Sequence, residues 1–193
     1  MNVLVVYCHP NPLSFNQAIL ETTVELLKEQ GHVVHIRDLY ALSFNPALGP
    51  TDFQAFQSGQ IPPDIAIEQE EIRWANRLVV IHPIWWTNMP ALLKGYIDRV
   101  LFHGFAYTYV DGQPNGLLTD KEVIIINTSG TPNEIYQQSG MHDAIRAASD
   151  VGVYQFCGIK VLAHLFYGAV PHVDDQTRKG YLEELREELI RLG

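Results

Sequence analysis

The stretch HPIWWTNMPALLKGYIDR, residues 82–99, decides how the chain is read. The apolar run Leu78 to Ile81 that leads into it has the length and β-branched content of a buried strand. It stops in a proline-bounded segment carrying two adjacent tryptophans, Trp85 and Trp86. Pro90 stands where a first-turn proline is tolerated, and Leu93, Ile97, Val100 and Leu101 recur at helical spacing. The unit is strand, loop, helix. Ligands of open α/β sheets bind beyond the carboxyl ends of the strands, and two large aromatics placed there form a wall for something flat.

The same grammar repeats along the chain. Val3 to Cys8 is continuously apolar, as a strand buried on both faces of a parallel sheet should be. After His9-Pro10-Asn11-Pro12, Ser14 and Gln17 have capping-box spacing, so a helix begins near Phe15; Leu20, Val24 and Leu27 give it an apolar face and Gly31 ends it. Val33 to Leu39 is the second strand. Ser43 to Pro63 is a polar, proline-containing excursion with one short helix at Asp52 to Gln57, and a helix from Asp64 to Asn76 leads back to the third strand. Gly104 to Gly112 is aromatic and turn-rich, a small hairpin or lid.

Glu122 to Asn127 is the fourth strand, followed by the small-residue loop Thr128 to Pro132 and a helix over Glu134 to Ser149. Lys160 to Phe166 is the fifth strand, and Asp175 to Leu192 is an amphipathic terminal helix. Five strands alternating with helices predict an α/β fold, a flavodoxin-like open five-stranded parallel sheet in the order 2-1-3-4-5 with helices on both faces. One domain over residues 1–193 accommodates it.

Thirteen basic against 22 acidic residues give a net charge of -9, which disfavours a nucleic-acid backbone or an anionic membrane as the main partner. Cys8 and Cys157 have neither metal-ligand spacing nor a disulfide-rich pattern, which predicts no metal site and a reduced, cytoplasmic setting. No stretch reaches the ~18 apolar residues of a membrane span.

Three loops meet at the carboxyl edge of such a sheet: Ser14-Phe15-Asn16, Pro83 to Thr87, and Thr128 to Thr131. They offer apolar walls together with backbone donors and acceptors, which is what a redox ring system needs. A flavin fits best. Neither a Gly-x-Gly-x-x-Gly after the first strand nor a phosphate-binding Gly-x-x-x-x-Gly-Lys is present, so the usual dinucleotide and P-loop readings lose their support.

His9 with Ser14-Phe15-Asn16, Pro83-Ile84-Trp85-Trp86 with Pro90 to Gly95 and Asp98-Arg99-Val100, and Gly104-Phe105-Ala106-Tyr107 occur in order and in register over nearly the whole chain. In these segments the sequence resembles the flavodoxin-fold NAD(P)H:quinone oxidoreductases, the DT-diaphorase-like family. The resemblance implies that His9, Ser14, Phe15 and Asn16 hold the phosphate and ribityl part of the flavin. Pro83, Ile84, Trp85, Trp86 and Thr87, with Thr128, Ser129, Gly130 and Thr131, would line its ring. Tyr136 and His142 match a catalytic Tyr/His pair, with Tyr136 also at the cofactor, and Tyr107 and Tyr109 match aromatics that close over substrate from the partner subunit of a homodimer. Arg178 lies where the adenine or phosphate end would be expected, although an exposed helix arginine is the plainer reading. The chain lacks the C-terminal extension of the animal enzymes, so FAD and FMN both stay open.

The implied activity is two-electron and ping-pong: hydride from NAD(P)H to flavin, then to a quinone or similar electrophile. A flavin-binding regulatory subunit of a potassium efflux system is the first alternative. A one-electron carrier is the second; the tyrosines of the implied substrate pocket and the lack of a short Ser/Thr-rich first loop speak against it.

Overall fold

The apolar runs become the inner strands of one sheet in a computed structural model that describes residues 1–193. Strands β1 (Asn2–Tyr7), β2 (Val33–Asp38), β3 (Arg77–Pro83), β6 (Glu122–Thr128) and β7 (Lys160–Tyr167) pair in the order β2-β1-β3-β6-β7, every pair parallel. Two further strands, β4 (Tyr107–Val110) and β5 (Gln113–Gly116), form a separate antiparallel hairpin, so the aromatic segment is a hairpin. Counting the strands of the main sheet alone, the order is the expected 2-1-3-4-5.

Because successive side chains of a strand point to opposite faces, the central strands build two cores. Leu4, Val6, Leu78, Val80, Val123 and Ile125 pack on one side, with residues of α3 (Pro63–Trp74) and α4 (Ala91–Val100). Val3, Val5, Val79, Ile81, Ile124 and Ile126 pack on the other, under α1 (Phe15–Glu29) and α7 (Asp175–Leu192). Near-total burial of β1, β3 and β6 follows from cover on both faces.

Helix α1 starts where the Ser14 side chain accepts from the Gln17 amide at 3.2 Å. Only half of the capping box forms, because the Gln17 side chain turns instead to Glu21 at 3.0 Å. The predicted helix over Glu134 to Ser149 is a larger departure. Gly140, with φ 73°, breaks it into α5 (Asn133–Gln138) and α6 (Met141–Arg146), after which the backbone widens into a π-helical segment, Ala147–Gln155. A left-handed residue is cheap only at glycine, and it stops one helix and aims the next in a new direction.

The excursion after β2 is fastened to α4 rather than left loose. Its helix α2 (Pro50–Gln57) carries Asp52, which takes a two-pronged ion pair from Arg99 at 3.0 and 2.9 Å. Arg99 also donates to Asp64 at 2.6 Å and to the Asn45 carbonyl at 2.9 Å. Gly95 lets Pro46 approach so closely that an added Cβ would stand 2.3 Å from it.

Replacing Arg99 by methionine leaves the Asp52 carboxylate buried without its partner. We predict a loss of about 3–5 kcal/mol in urea unfolding at pH 7. Arg99 holds the Asp52 carboxyl below its ordinary range. The contribution is therefore full above about pH 4 and fades as pH falls through the depressed value, and the variant should show less of this acid sensitivity than the parent protein.

Candidate functional site

The ladder brings Tyr7 level with Ile81 and Ile81 level with Ile126, and aligns Pro83 with Thr128. Beyond these positions three strands release their chains at one edge, and a cleft of about 260 Å³ opens between the loops. His9, Ser14, Phe15 and Asn16 line it from the first loop, Pro83, Ile84 and Trp85 from the second, and Thr128, Ser129 and Gly130 from the third.

Asn16 ties the first loop to the third. Its amide nitrogen donates to the Thr128 hydroxyl at 2.7 Å, while its Oδ1 is buried with no hydrogen-bond partner. A buried acceptor of this kind wants a donor that the chain itself does not supply. The first amides of α1, at Phe15 and Asn16, likewise have no intrahelical acceptor, and the positive end of the helix dipole favours an anion beside them. Burial is the main influence on His9, pushing its pKa down, and its ring lies 6.0 Å from that of Trp85.

The second loop is a tight turn. Trp85 and Asn88 exchange backbone hydrogen bonds at 2.9 and 3.1 Å, and the residues between them, Trp86 and Thr87, have φ of 52° and 58°. Two consecutive non-glycine residues in the left-handed region cost roughly 1–2 kcal/mol each. Strain of this kind clusters at functional sites. The turn leaves Trp85 41% exposed and Trp86 fully exposed, so Trp86 is not spent on packing within the chain. Trp86 and Thr87 do not line the cleft, and neither does Thr131.

A fourth loop, missed by the sequence reading, adds Val170 and Pro171 to the cleft. The Val170 amide donates to the Ser129 carbonyl at 3.0 Å and the Ala169 amide to that of Thr131 at 3.1 Å, so Thr131 braces the wall from behind. Arg178 is not a free surface arginine. It donates to the carbonyls of Val170 and Val173 at 3.1 and 2.6 Å and pins this loop to α7.

Tyr136 and His142 come together on α5 and α6, ring edge to ring face with centroids 5.7 Å apart. They stand outside the cleft lining itself. His142 stacks on Phe166 at 4.2 Å, and its Nε2 is buried without a partner. Burial lowers its pKa, as do Arg146 and His164, against an opposing pull from Asp143.

Tyr107 and Tyr109 lie elsewhere. Tyr107 packs edge-on against Phe156 at 5.0 Å and lines a separate groove of about 490 Å³, with Leu48, Ile97 and Phe102 among its walls. That groove is larger than the cleft and mostly apolar, with Lys94 and Asp98 as its charged lining. No helix is long and apolar enough to cross a membrane.

A family profile described as Flavodoxin-like fold matches residues 1–189. An uncharacterised NAD(P)H oxidoreductase of Haemophilus influenzae is 36% identical over 184 residues, spanning 95% of this chain and 91% of its own. NAD(P)H dehydrogenase [quinone] 1 of Rattus norvegicus is 32% identical over 206 residues, spanning 96% and 75%. Among solved structures, the NAD(P)H:quinone oxidoreductase of Methanothermobacter marburgensis superposes with a TM-score of 0.87 at 29% identity, covering 97% of this chain and 94% of that one.

Neither cysteine offers a nucleophile to the cleft. Both are buried, and burial pushes Cys8 to about 12 and Cys157 to about 11. Since the thiolate is the reactive form, a chromogenic disulfide reagent at pH 8 should react with neither thiol in the native protein and with both once it is unfolded in guanidinium.

Proposed function

We propose that this chain, which belongs to the flavodoxin-fold NAD(P)H:quinone oxidoreductase family, binds a flavin, FAD or FMN, in the cleft and reduces quinones or similar flat electrophiles at the expense of NAD(P)H. The single observation that carries the reading is the cleft closed by Asn16 and Thr128, with an unpartnered buried acceptor and the start of α1 on one side and apolar walls on the other. When bound, a flavin would supply the two-electron redox chemistry between a nicotinamide donor and the acceptor.

The chain supplies position and charge. Asn16 Oδ1 would accept a ribityl hydroxyl, and Ser14 with the first amides of α1 would hold the phosphate. Ile84 and Trp85 would form the wall for the ring, and the backbone of Thr128 to Gly130 would meet its polar edge. The exposed Trp86 and strained Thr87 extend this wall beyond the chain's own cleft. Tyr136 would be the phenol donor toward the edge where negative charge grows, and His142, whose buried Nε2 has no partner, would hold or pass on the phenol's proton. Tyr107 and Tyr109 would cover the cleft of a partner subunit in a homodimer. Placement of Tyr107 on a different groove of its own chain supports this arrangement. One domain spans the chain in this reading, and two unpaired cysteines support a cytoplasmic setting.

The protein should show a flavin absorption band that NADPH bleaches without oxygen and that menadione restores. A bound flavin that NADPH leaves oxidised would overturn the oxidoreductase reading. Tyr136→Phe and His142→Ala should slow the bleaching by about 10²-fold or more while changing flavin affinity little. Equal losses in rate and affinity would remove the role given to the pair.

A further inference from the structure

A chain of buried polar side chains links the ends of β3 and β6 to the middle of β7. His82 Nδ1 lies 2.9 Å from the Pro83 carbonyl, which can only accept, so Nδ1 carries the hydrogen and Nε2 a lone pair. The Asn127 amide nitrogen lies 3.0 Å from that Nε2 and 3.2 Å from the His82 carbonyl. Two acceptors on one side fix which end of the amide faces His82. Asn127 Oδ1 therefore faces His164 Nε2, at 2.8 Å, and that nitrogen must donate. The other ring nitrogen of His164 stands 2.8 Å from Asp150 Oδ1, which also lies 2.7 Å from the Ser149 hydroxyl. The pair is enclosed, with the His164 side chain 2% and the Asp150 side chain 10% exposed.

His164 is in turn stacked on Phe166, with centroids 4.2 Å apart and planes 17° from parallel. Phe166 is stacked on His142 at 4.2 Å and 25°. The three rings form one pile, with the Arg146 guanidinium 4.9 Å from the centre of Phe166. Behind the second loop, His82, Asn127 and Ser149 border a cavity of about 10 Å³ together with Thr87 and Asn88. One end of the chain thus touches the loop that carries the tryptophans, and the other end supports His142.

We propose that His164 is a positioning residue: Asn127 and Asp150 hold it with hydrogen on both ring nitrogens, and its fixed ring sets Phe166 and, through Phe166, the ring of His142. The functional half of this inference rests on the assignment of His142 to the flavin site; the state of His164 does not. His164 enters the reaction only by holding His142 in one orientation and by placing a positive charge behind it. The other groups facing His142 are Asp143 and Arg146 on its own helix and Tyr136 on α5. A cation behind Phe166 repels a proton from His142, so neutralising His164 should make His142 easier to protonate.

The test is nitrogen NMR on ¹⁵N-histidine-labelled protein as purified, at pH 7.5. One histidine should show two hydrogen-bearing ring nitrogens. That pattern should be absent from His164→Gln and become a singly protonated ring in Asp150→Asn, which removes the carboxylate charge, whereas Asp150→Glu, which keeps that charge, should retain it. The titration midpoint of His142 should move upward in Asp150→Asn. In NADPH reduction of the flavin, the limb of the pH profile that follows His142 should move upward with it. A bare ring nitrogen on His164 in the parent protein would overturn the proposal, as would a His142 midpoint in Asp150→Asn identical to the parent's. Failure of NADPH to reduce the protein would count against the oxidoreductase reading alone, since both NMR results are obtained without turnover. Should Asp150→Asn not fold, the parent spectrum and the His142 midpoint in Asp150→Glu, expected unchanged, decide the matter.

Discussion

Everything at the candidate site depends on the register of three parallel strands. Tyr7, Ile81 and Ile126 stand level across β1, β3 and β6. A slip of one residue would turn every side chain of a strand to the opposite face. Since both faces are covered, the slipped strand would still be apolar, but the ends would no longer meet: Asn16 would lose Thr128, and Ile84 would lose the Thr128 carbonyl that its amide reaches at 2.7 Å. Packing of alternate strand residues into the two cores holds the register, and the register holds the cleft.

The edge of the sheet is correspondingly polar where its body is apolar. Apolar strands end in His82, Asn127 and Thr128, all buried, and each finds its partners on a neighbouring strand or loop. Such a layer costs desolvation and is tolerated when its groups are satisfied. Here the unsatisfied members are informative. Asn16 Oδ1 and His142 Nε2 are both buried without partners, the first on the helix that borders the cleft and the second where His142 meets Tyr136. The strained turn at Trp86 and Thr87 belongs to the same pattern, since it exposes a large aromatic at a cost that packing within the chain does not return.

The fold was legible because its signals are local. Apolar runs of strand length, a Ser14 cap, Gly31 and the alternation of strands with helices are read without knowing any distant contact. The three loops followed from the same rule about carboxyl ends. What the sequence concealed depends on tertiary geometry. Gly140 inside a helical pattern does not announce a left-handed break, and nothing near Asp150 tells that a π-helical segment turns it toward His164, fourteen residues away. Val170 and Pro171 escaped because the loop after β7 has no composition of its own; it reaches the cleft through hydrogen bonds to Ser129 and Thr131. The polar ends of β3 and β6 were visible as His82 and Asn127, yet their pairing across strands follows only from the ladder. The Tyr136 and His142 pair came from the resemblance to a family, and the structure brings the two rings into contact.

The most direct measurement is the affinity of the flavin-free protein for FMN and for FAD, followed by quenching of flavin fluorescence, in the parent chain and in Asn16→Ala. If the cleft between α1 and β6 is the cofactor site, the tighter of the two flavins should bind about tenfold or more weakly to the variant, the loss expected for one or two buried hydrogen bonds. Circular dichroism should show the fold retained. Equal affinity in a folded Asn16→Ala protein would contradict the account and move the flavin to another surface.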